Sequence, residues 1–315
     1  MTDTTFGQIP ADASIAVVGA GVIGASWAAL FLSAGHRVRV YDPATETGSR
    51  VTAFIADAWP TLAHIRRVVE GWEQRLSFHA SPTEAVAGAA FVQESLPERL
   101  PIKHEVYRAF ESSLQSNAIV ATSSSGLLLS DMQRAWRDCS RFILGHPFNP
   151  PHLIPLVELL GNTKTADGVL DASAAFYTSL GKVPIMVNKE VPGHVANRLQ
   201  AALWREAINL VVSGVASVTD VDKAITAGPG LRWAIMGPHM LFNLGGGDGG
   251  MRDFCQRYRD PFHTWWESLG APLLTDEVRD TLVQGVDAEA GGRTIADLAK
   301  ERDKKLVNLL GGARV

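Results

Sequence analysis

Ser14 to Gly24 reads SIAVVGAGVIG and runs straight on into ASWAALFLSAG, ending at Gly35. The first five residues are a short apolar, partly β-branched run, the composition of a buried strand. The segment after Gly24 is long enough and apolar enough for a buried helix. Between them Gly19, Gly21 and Gly24 stand in G-x-G-x-x-G spacing. The first glycine permits a tight turn, the second lets the backbone approach a pyrophosphate, and the third lets the helix lie close to the strand. The amides of Val22 and Ile23 would then face the phosphates at the helix N-terminus. A glycine triplet alone is weak evidence. Here the next strand-like run, RVRVYD, ends on Asp42, 18 residues after Gly24. An acid at that place accepts hydrogen bonds from the adenosine ribose and repels a 2′-phosphate, so NAD is expected over NADP. The other reading of Asp42 is a cap on the helix that Asp-Pro often starts.

Further along, the same grammar repeats. Residues 45–76 carry apolar residues at helical spacing, with an interruption expected at Trp59-Pro60, and Arg66 and Arg67 on a solvated face. AFVQE leads to Glu98 and Lys103, NAIVAT ends at Ser123 and Ser124, and RFILG ends at His146 and Asn149. In a doubly wound sheet the carboxyl ends of the strands share one edge, where ligands bind. A last strand, VPIMVN, closes this half. Beyond it the pattern turns helical, from HVANRLQAALWREAINLVV to the end. The expected fold class is therefore α/β: a Rossmann-type, doubly wound domain over residues 1–189, then an all-helical domain over 190–315 for substrate binding and dimerisation. Residues 1–13 read as a polar arm.

Bulk properties narrow the function. The formal charge of −4 gives no footprint for nucleic acid or an anionic membrane. Two cysteines, Cys139 and Cys255, form neither a metal-ligand nor a disulfide pattern, which fits a reducing cytoplasm and no metal. No apolar run is long enough to span a bilayer. GGGDGG at 245–250 lacks the Lys-Ser/Thr ending of a phosphate loop and reads as an interhelical loop.

Chemistry concentrates between Ser123 and Glu158. Glu158 lies within the apolar run LVELL, where an unpartnered carboxylate is costly. His146, across a Pro-Phe-Asn-Pro turn, is its candidate partner. Oxidising an alcohol with NAD requires a base for the hydroxyl proton, and histidine titrates in the right range. A carboxylate beside it fixes the tautomer and stabilises the imidazolium. Ser124 and Asn197 are candidates to hold the substrate oxygen. The other eight histidines read as capping or core residues.

VVGAGVIG, Asp42, FVQESLPERLPIK, SSSGLL, GHPFNPP, LVELLG, KEVPGHVANRLQ and GLRWAIMGP together resemble the L-3-hydroxyacyl-CoA dehydrogenase superfamily across nearly the whole chain. Within it the likeness is to carnitine 3-dehydrogenases first and L-gulonate 3-dehydrogenase (lambda-crystallin) next. The resemblance implies NAD as cofactor, with Glu98, Lys103 and Asn149 joining Gly19, Gly21, Val22, Ile23, Gly24 and Asp42 around it. It places the catalytic pair on His146 and Glu158 and the substrate-oxygen ligands on Ser124 and Asn197. It implies oxidation of the 3-hydroxyl of a small 3-hydroxy acid, L-carnitine first. L-gulonate, a short 3-hydroxyacyl-CoA, and a cofactor-binding structural protein of the crystallin kind are the alternatives. For a quaternary ammonium the resemblance suggests Phe148, Trp233 and Phe242, and for a carboxylate Arg198 or Arg232. A homodimer through the helical domain is expected.

Overall fold

β1 (Ser14–Val18) is the third strand of an eight-stranded sheet in a computed structural model that describes residues 9–312. The expected polar arm lies, through residue 8, outside the described residues. In chain order β1 is followed by α1 (Val22–Ser33), β2 (Arg37–Tyr41), α2 (Thr47–Ile65), β3 (Leu76–Phe78), α3 (Pro82–Val86), β4 (Phe91–Glu94), α4 (Leu100–Phe110), β5 (Ile119–Thr122) and α5 (Leu129–Met132). Then come β6 (Phe142–Pro147), β7 (Leu156–Leu160), α6 (Val169–Ser179) and β8 (Val183–Met186). The sheet order is β3-β2-β1-β4-β5-β6-β7-β8. Every pairing is parallel except β6 with β7. The fold is thus the Rossmann-type α/β arrangement, and β1 and β4 flank its topological switch point.

Two apolar layers hold the sheet. On one side Trp27, Phe31, Phe91, Phe176 and Tyr177 pack around α1 and α6, and on the other Tyr107, Phe110, Met132 and Phe142 pack under α4. α1 is buried on nearly its whole surface, as the unbroken apolar run after Gly24 requires. The expected break at Pro60 does not occur: α2 runs through it to Ile65. A proline inside a helix removes one N–H bond, and here the buried stripe Val51, Ile55, Ala58, Leu62 and Ile65 holds the helix together across it.

The remaining elements are α7 (Ala196–Val212), α8 (Val218–Thr226), α9 (Pro229–Trp233), α10 (Pro238–Gly245), α11 (Gly250–Ser268), α12 (Asp276–Ala290) and α13 (Ile295–Gly312), with no strand among them. The chain divides into two compact units. The second is Arg198–Glu301, and the first is the rest of the described chain, including the last turns of α13. GGGDGG is a helical corner: α10 ends in it, Gly247–Gly249 form one 3₁₀ turn, and α11 starts at Gly250.

Candidate active site

His146 and Glu158 come together because β6 and β7 run antiparallel with these two residues directly opposite. Both side chains therefore leave the same face. Glu158 has no exposed surface. His146 Nδ1 lies 2.7 Å from Glu158 Oε2, and a carboxylate can only accept, so Nδ1 carries a hydrogen and Nε2 is the ring nitrogen that Glu158 leaves unengaged. The second oxygen, Glu158 Oε1, accepts the N–H groups of Val195 and Ala196, both at 2.9 Å, at the start of α7. Burial pushes the Glu158 carboxyl up, but His146 and those two N–H groups outweigh it and hold it below its ordinary value. The N-terminal end of α7 favours the same negative charge.

β5 delivers Ser124, also buried. Its Oγ donates to Glu98 Oε1 at 2.6 Å, and the N–H groups of Ser125, Gly126 and Leu127 converge on the same oxygen at 3.0, 2.7 and 3.1 Å. Burial raises the Glu98 carboxyl, and Ser124, the Gly126 amide, Lys103 and the Leu127 amide more than reverse it. Lys103 is fully buried, its ammonium 2.7 Å from Glu94 Oε1, 3.3 Å from the Leu96 carbonyl and 3.9 Å from Glu98. Tyr107 donates to the other Glu94 oxygen. This cluster fixes the turn from Ser95 to Glu98 beside the glycine loop.

The glycine loop fits a dinucleotide. Gly19 sits at φ +88°, and a Cβ there would meet the Ser95 backbone at 2.6 Å. A Cβ on Gly24 would strike the Gly19 carbonyl at 2.0 Å, whereas one on Gly21 would meet nothing within 4 Å. That is the division of labour expected when the second glycine clears space for a pyrophosphate. No side chain caps the N-terminus of α1. Asp42 directly follows β2, with Oδ2 accepting the Ala20 N–H at 2.8 Å and Oδ1 the Ala44 N–H at 3.0 Å, joining the ribose position to the loop. Val22 stands exposed at the head of α1.

Asn149 is exposed and precedes a cis peptide to Pro150. Phe148 stands edge-on to His146, ring centres 5.5 Å apart. Asn197 follows Ala196 in the first turn of α7. Arg198, Arg232, Trp233 and Phe242 belong to the second unit. There Arg232 and Trp233 end α9, and Phe242 stacks on Phe254 at 4.8 Å.

Residues 14–191 match the family 3-hydroxyacyl-CoA dehydrogenase, NAD binding domain, and residues 193–278 match 3-hydroxyacyl-CoA dehydrogenase, C-terminal domain. The chain belongs to the 3-hydroxyacyl-CoA dehydrogenase family. It is similar to an L-carnitine dehydrogenase of Streptomyces coelicolor, with 45% identity over 94% of this chain and 93% of the relative. An L-carnitine dehydrogenase of Pseudomonas is 42% identical over 94% of this chain and 92% of its own. Among solved structures, 5-formyl-3-hydroxy-2-methylpyridine 4-carboxylic acid 5-dehydrogenase, an NAD+-dependent dismutase, superposes with a TM-score of 0.82 at 27% identity, over 96% of this chain and all of the other. (S)-3-hydroxybutyryl-CoA dehydrogenase of Ralstonia eutropha gives 0.63 at 25% identity over 79% of this chain and 89% of that one. This member of the family is an NAD-dependent oxidoreductase, and NAD is the cofactor that its Gly19–Gly24 loop and Asp42 suit.

Beyond the residues read from sequence, the fold adds Glu94 and Tyr107 beneath Lys103, Ser95 against Gly19, and His194. The last of these lies with its ring centre 5.3 Å from that of His146. Its signal was a histidine directly before the two residues that hold Glu158.

Proposed function

We propose that the protein oxidises the 3-hydroxyl of a small 3-hydroxy acid, L-carnitine in first place, to the 3-keto acid. The observation that carries this reading is the buried His146–Glu158 pair, 2.7 Å apart, with both Glu158 oxygens already hydrogen-bonded. His146 Nε2 takes the hydroxyl proton, and the resulting imidazolium is stabilised by the carboxylate behind it. Bound NAD supplies the hydride acceptor. Ser124 Oγ donates to Glu98, and rotation about its Cα–Cβ bond redirects that proton to the substrate oxygen as charge builds there, with the Asn197 amide as second donor. Gly19, Gly21, Val22, Ile23, Gly24 and Asp42 would hold the cofactor, with Glu98 and Lys103 bracing the turn beside the glycine loop and Asn149 a further candidate contact.

Carnitine ranks first because relatives named L-carnitine dehydrogenase are 40–45% identical over at least 94% of the chain. A trimethylammonium group also suits aromatic faces. Phe148 supplies one beside His146, and Phe242, which stacks on Phe254, is a further aromatic candidate. Arg198 and Arg232 are the candidate carboxylate partners on the second unit, and Trp233 another aromatic one. The protein acts as a homodimer through its helices, and its two free cysteines suit the cytoplasm. Among the described residues no helix is long and apolar enough to cross a membrane.

The test is NADH formation with L-carnitine, L-gulonate and a short 3-hydroxyacyl-CoA in parallel. Turnover with L-carnitine at the highest kcat/KM is expected. No rate with any of the three overturns the reading, and a rate with only one of the others moves the substrate.

A further inference from the structure

Among the described residues His194 is the one non-glycine side chain held at positive φ, at 51°, immediately after Gly193 at 77°. Left-handed backbone is unfavourable for a histidine, and such strain collects where a side chain must be aimed. The aim here is specific. His194 is 1% exposed, and its Nε2 lies 3.3 Å from the Ser124 carbonyl. A carbonyl accepts only, so Nε2 carries a hydrogen. The other nitrogen, Nδ1, is buried without a hydrogen-bond partner. A buried polar atom left unmet is expensive unless something that binds there meets it.

The neighbours of His194 say what that something is. From β6 His146 faces it, from β7 Glu158, and from the turn after β4 Glu98. Burial first, and then His146, hold its ring below the ordinary histidine value, although Ser124, Glu158 and Glu98 pull the other way. Its Nδ1 is thus bare before substrate arrives. A 3-hydroxy acid whose hydroxyl meets His146 carries its carboxylate only two bonds from the hydroxyl-bearing carbon. An anion set down there both draws a proton onto Nδ1 and accepts the hydrogen bond.

We propose that His194 is a carboxylate-recognition residue of this site, in addition to the arginine candidates: as the acid binds, Nδ1 takes one proton from solvent and donates it in a hydrogen bond to the substrate carboxylate. This selects a free acid over a thioester or an amide. The bound carboxylate, Glu158 and Glu98 then stand against the two imidazole rings when His146 is protonated in turn. The inference rests on the 3-hydroxy-acid reading above.

Because the ring holds its proton more tightly in the complex than in the free enzyme, affinity is highest at low pH and falls as pH rises through the ring's value in the complex. Calorimetry of L-carnitine binding to the enzyme–NADH complex, in buffers of different ionisation heat, reads the proton directly. Kinetics with L-carnitine and L-carnitinamide at several pH values reads the rest. Wild type should take up protons with the acid and none with the amide. His194→Phe should raise KM for the acid about 10- to 100-fold, the scale of one lost charge-assisted hydrogen bond. It should leave kcat within about threefold and raise KM for the amide far less than for the acid, and it should abolish proton uptake. His194→Asn accepts left-handed backbone and donates without titrating. It should restore part of the affinity with no pH dependence in KM. Equal losses for acid and amide, or proton uptake that survives in His194→Phe, overturn the inference and leave a packing role. A wild type that oxidises no 3-hydroxy acid overturns the underlying reading instead.

Discussion

A carboxylate with no contact with water needs all its lone pairs occupied, and Glu158 occupies them with a histidine on one oxygen and two backbone amides on the other. Replacing it with glutamine puts an N–H₂ where either the amides or His146 need an acceptor. Glu158→Gln should lower kcat about 10²- to 10⁴-fold, the usual range for losing a properly held general base, with KM for NAD unchanged in steady-state kinetics. His146→Gln should lose as much, and full turnover in either variant refutes the assignment. The pH sign follows from the depressed Glu158 value. Its stabilisation is fully present above the unfolded carboxylate value and is lost as pH falls through the lower folded one. At the cofactor end, Asp42→Ala should shift the NAD:NADP ratio of kcat/KM toward NADP by about one order of magnitude or more, since the repulsion of a 2′-phosphate goes with the charge. An unchanged ratio removes Asp42 from the ribose. The pairing of His146 with Glu158 was legible because an acid inside LVELL demands a partner. His194 was not, because a lone histidine in a Pro-Gly-His turn looks like any cap until the fold lays it against Ser124 and His146.

At the scale of elements, periodicity revealed strands and helices but not direction. LVELL and RFILG are equally apolar, and nothing in them says that β7 turns back on β6 while the other pairs run parallel. The loop between them is fastened by residues with no sequence signature. Ser26 Oγ accepts the His152 backbone N–H at 2.9 Å and is hydrogen-bonded to His152 Nδ1 at 2.8 Å. Lys182 donates to the carbonyls of Pro151 and Ile154 beneath the Trp27 ring. Lys182→Met leaves those two carbonyls unmet and should cost about 2–4 kcal/mol in urea unfolding. A midpoint equal to wild type would show that the loop is held elsewhere. His152 carries a pH consequence. Burial pulls its ring from 6.5 down to about 4, so the unfolded chain binds the proton more readily. Stability should fall as pH drops from about 6.5 and level off below about 4, by about 3 kcal/mol in all. His152→Asn keeps an acceptor for Ser26 but cannot titrate, so its midpoint should decline less over that window. A parallel decline removes His152 as the cause.

For the whole molecule the decisive observation is where apolar surface remains uncovered. In the helical half Trp204, Ile235, Trp265, Trp266 and Leu274 are each more than half exposed, whereas most of the large rings of the sheet domain pack in its two apolar layers. Helices that show aromatic residues to solvent on this scale have the composition of an interface core rather than of a monomer's surface. A second copy of the chain presents the same faces, and a two-fold pairing would cover both at once. Sedimentation should therefore give twice the 33.9 kDa chain mass. The unfolding midpoint should rise with protein concentration, since dissociation accompanies unfolding. Trp266→Glu places a charge amid that surface and should shift the sedimenting species toward the single chain while the isolated sheet layers stay intact by circular dichroism. Should wild type and variant both sediment as single chains, with concentration-independent midpoints, the exposed aromatic faces must be covered by something other than a second copy.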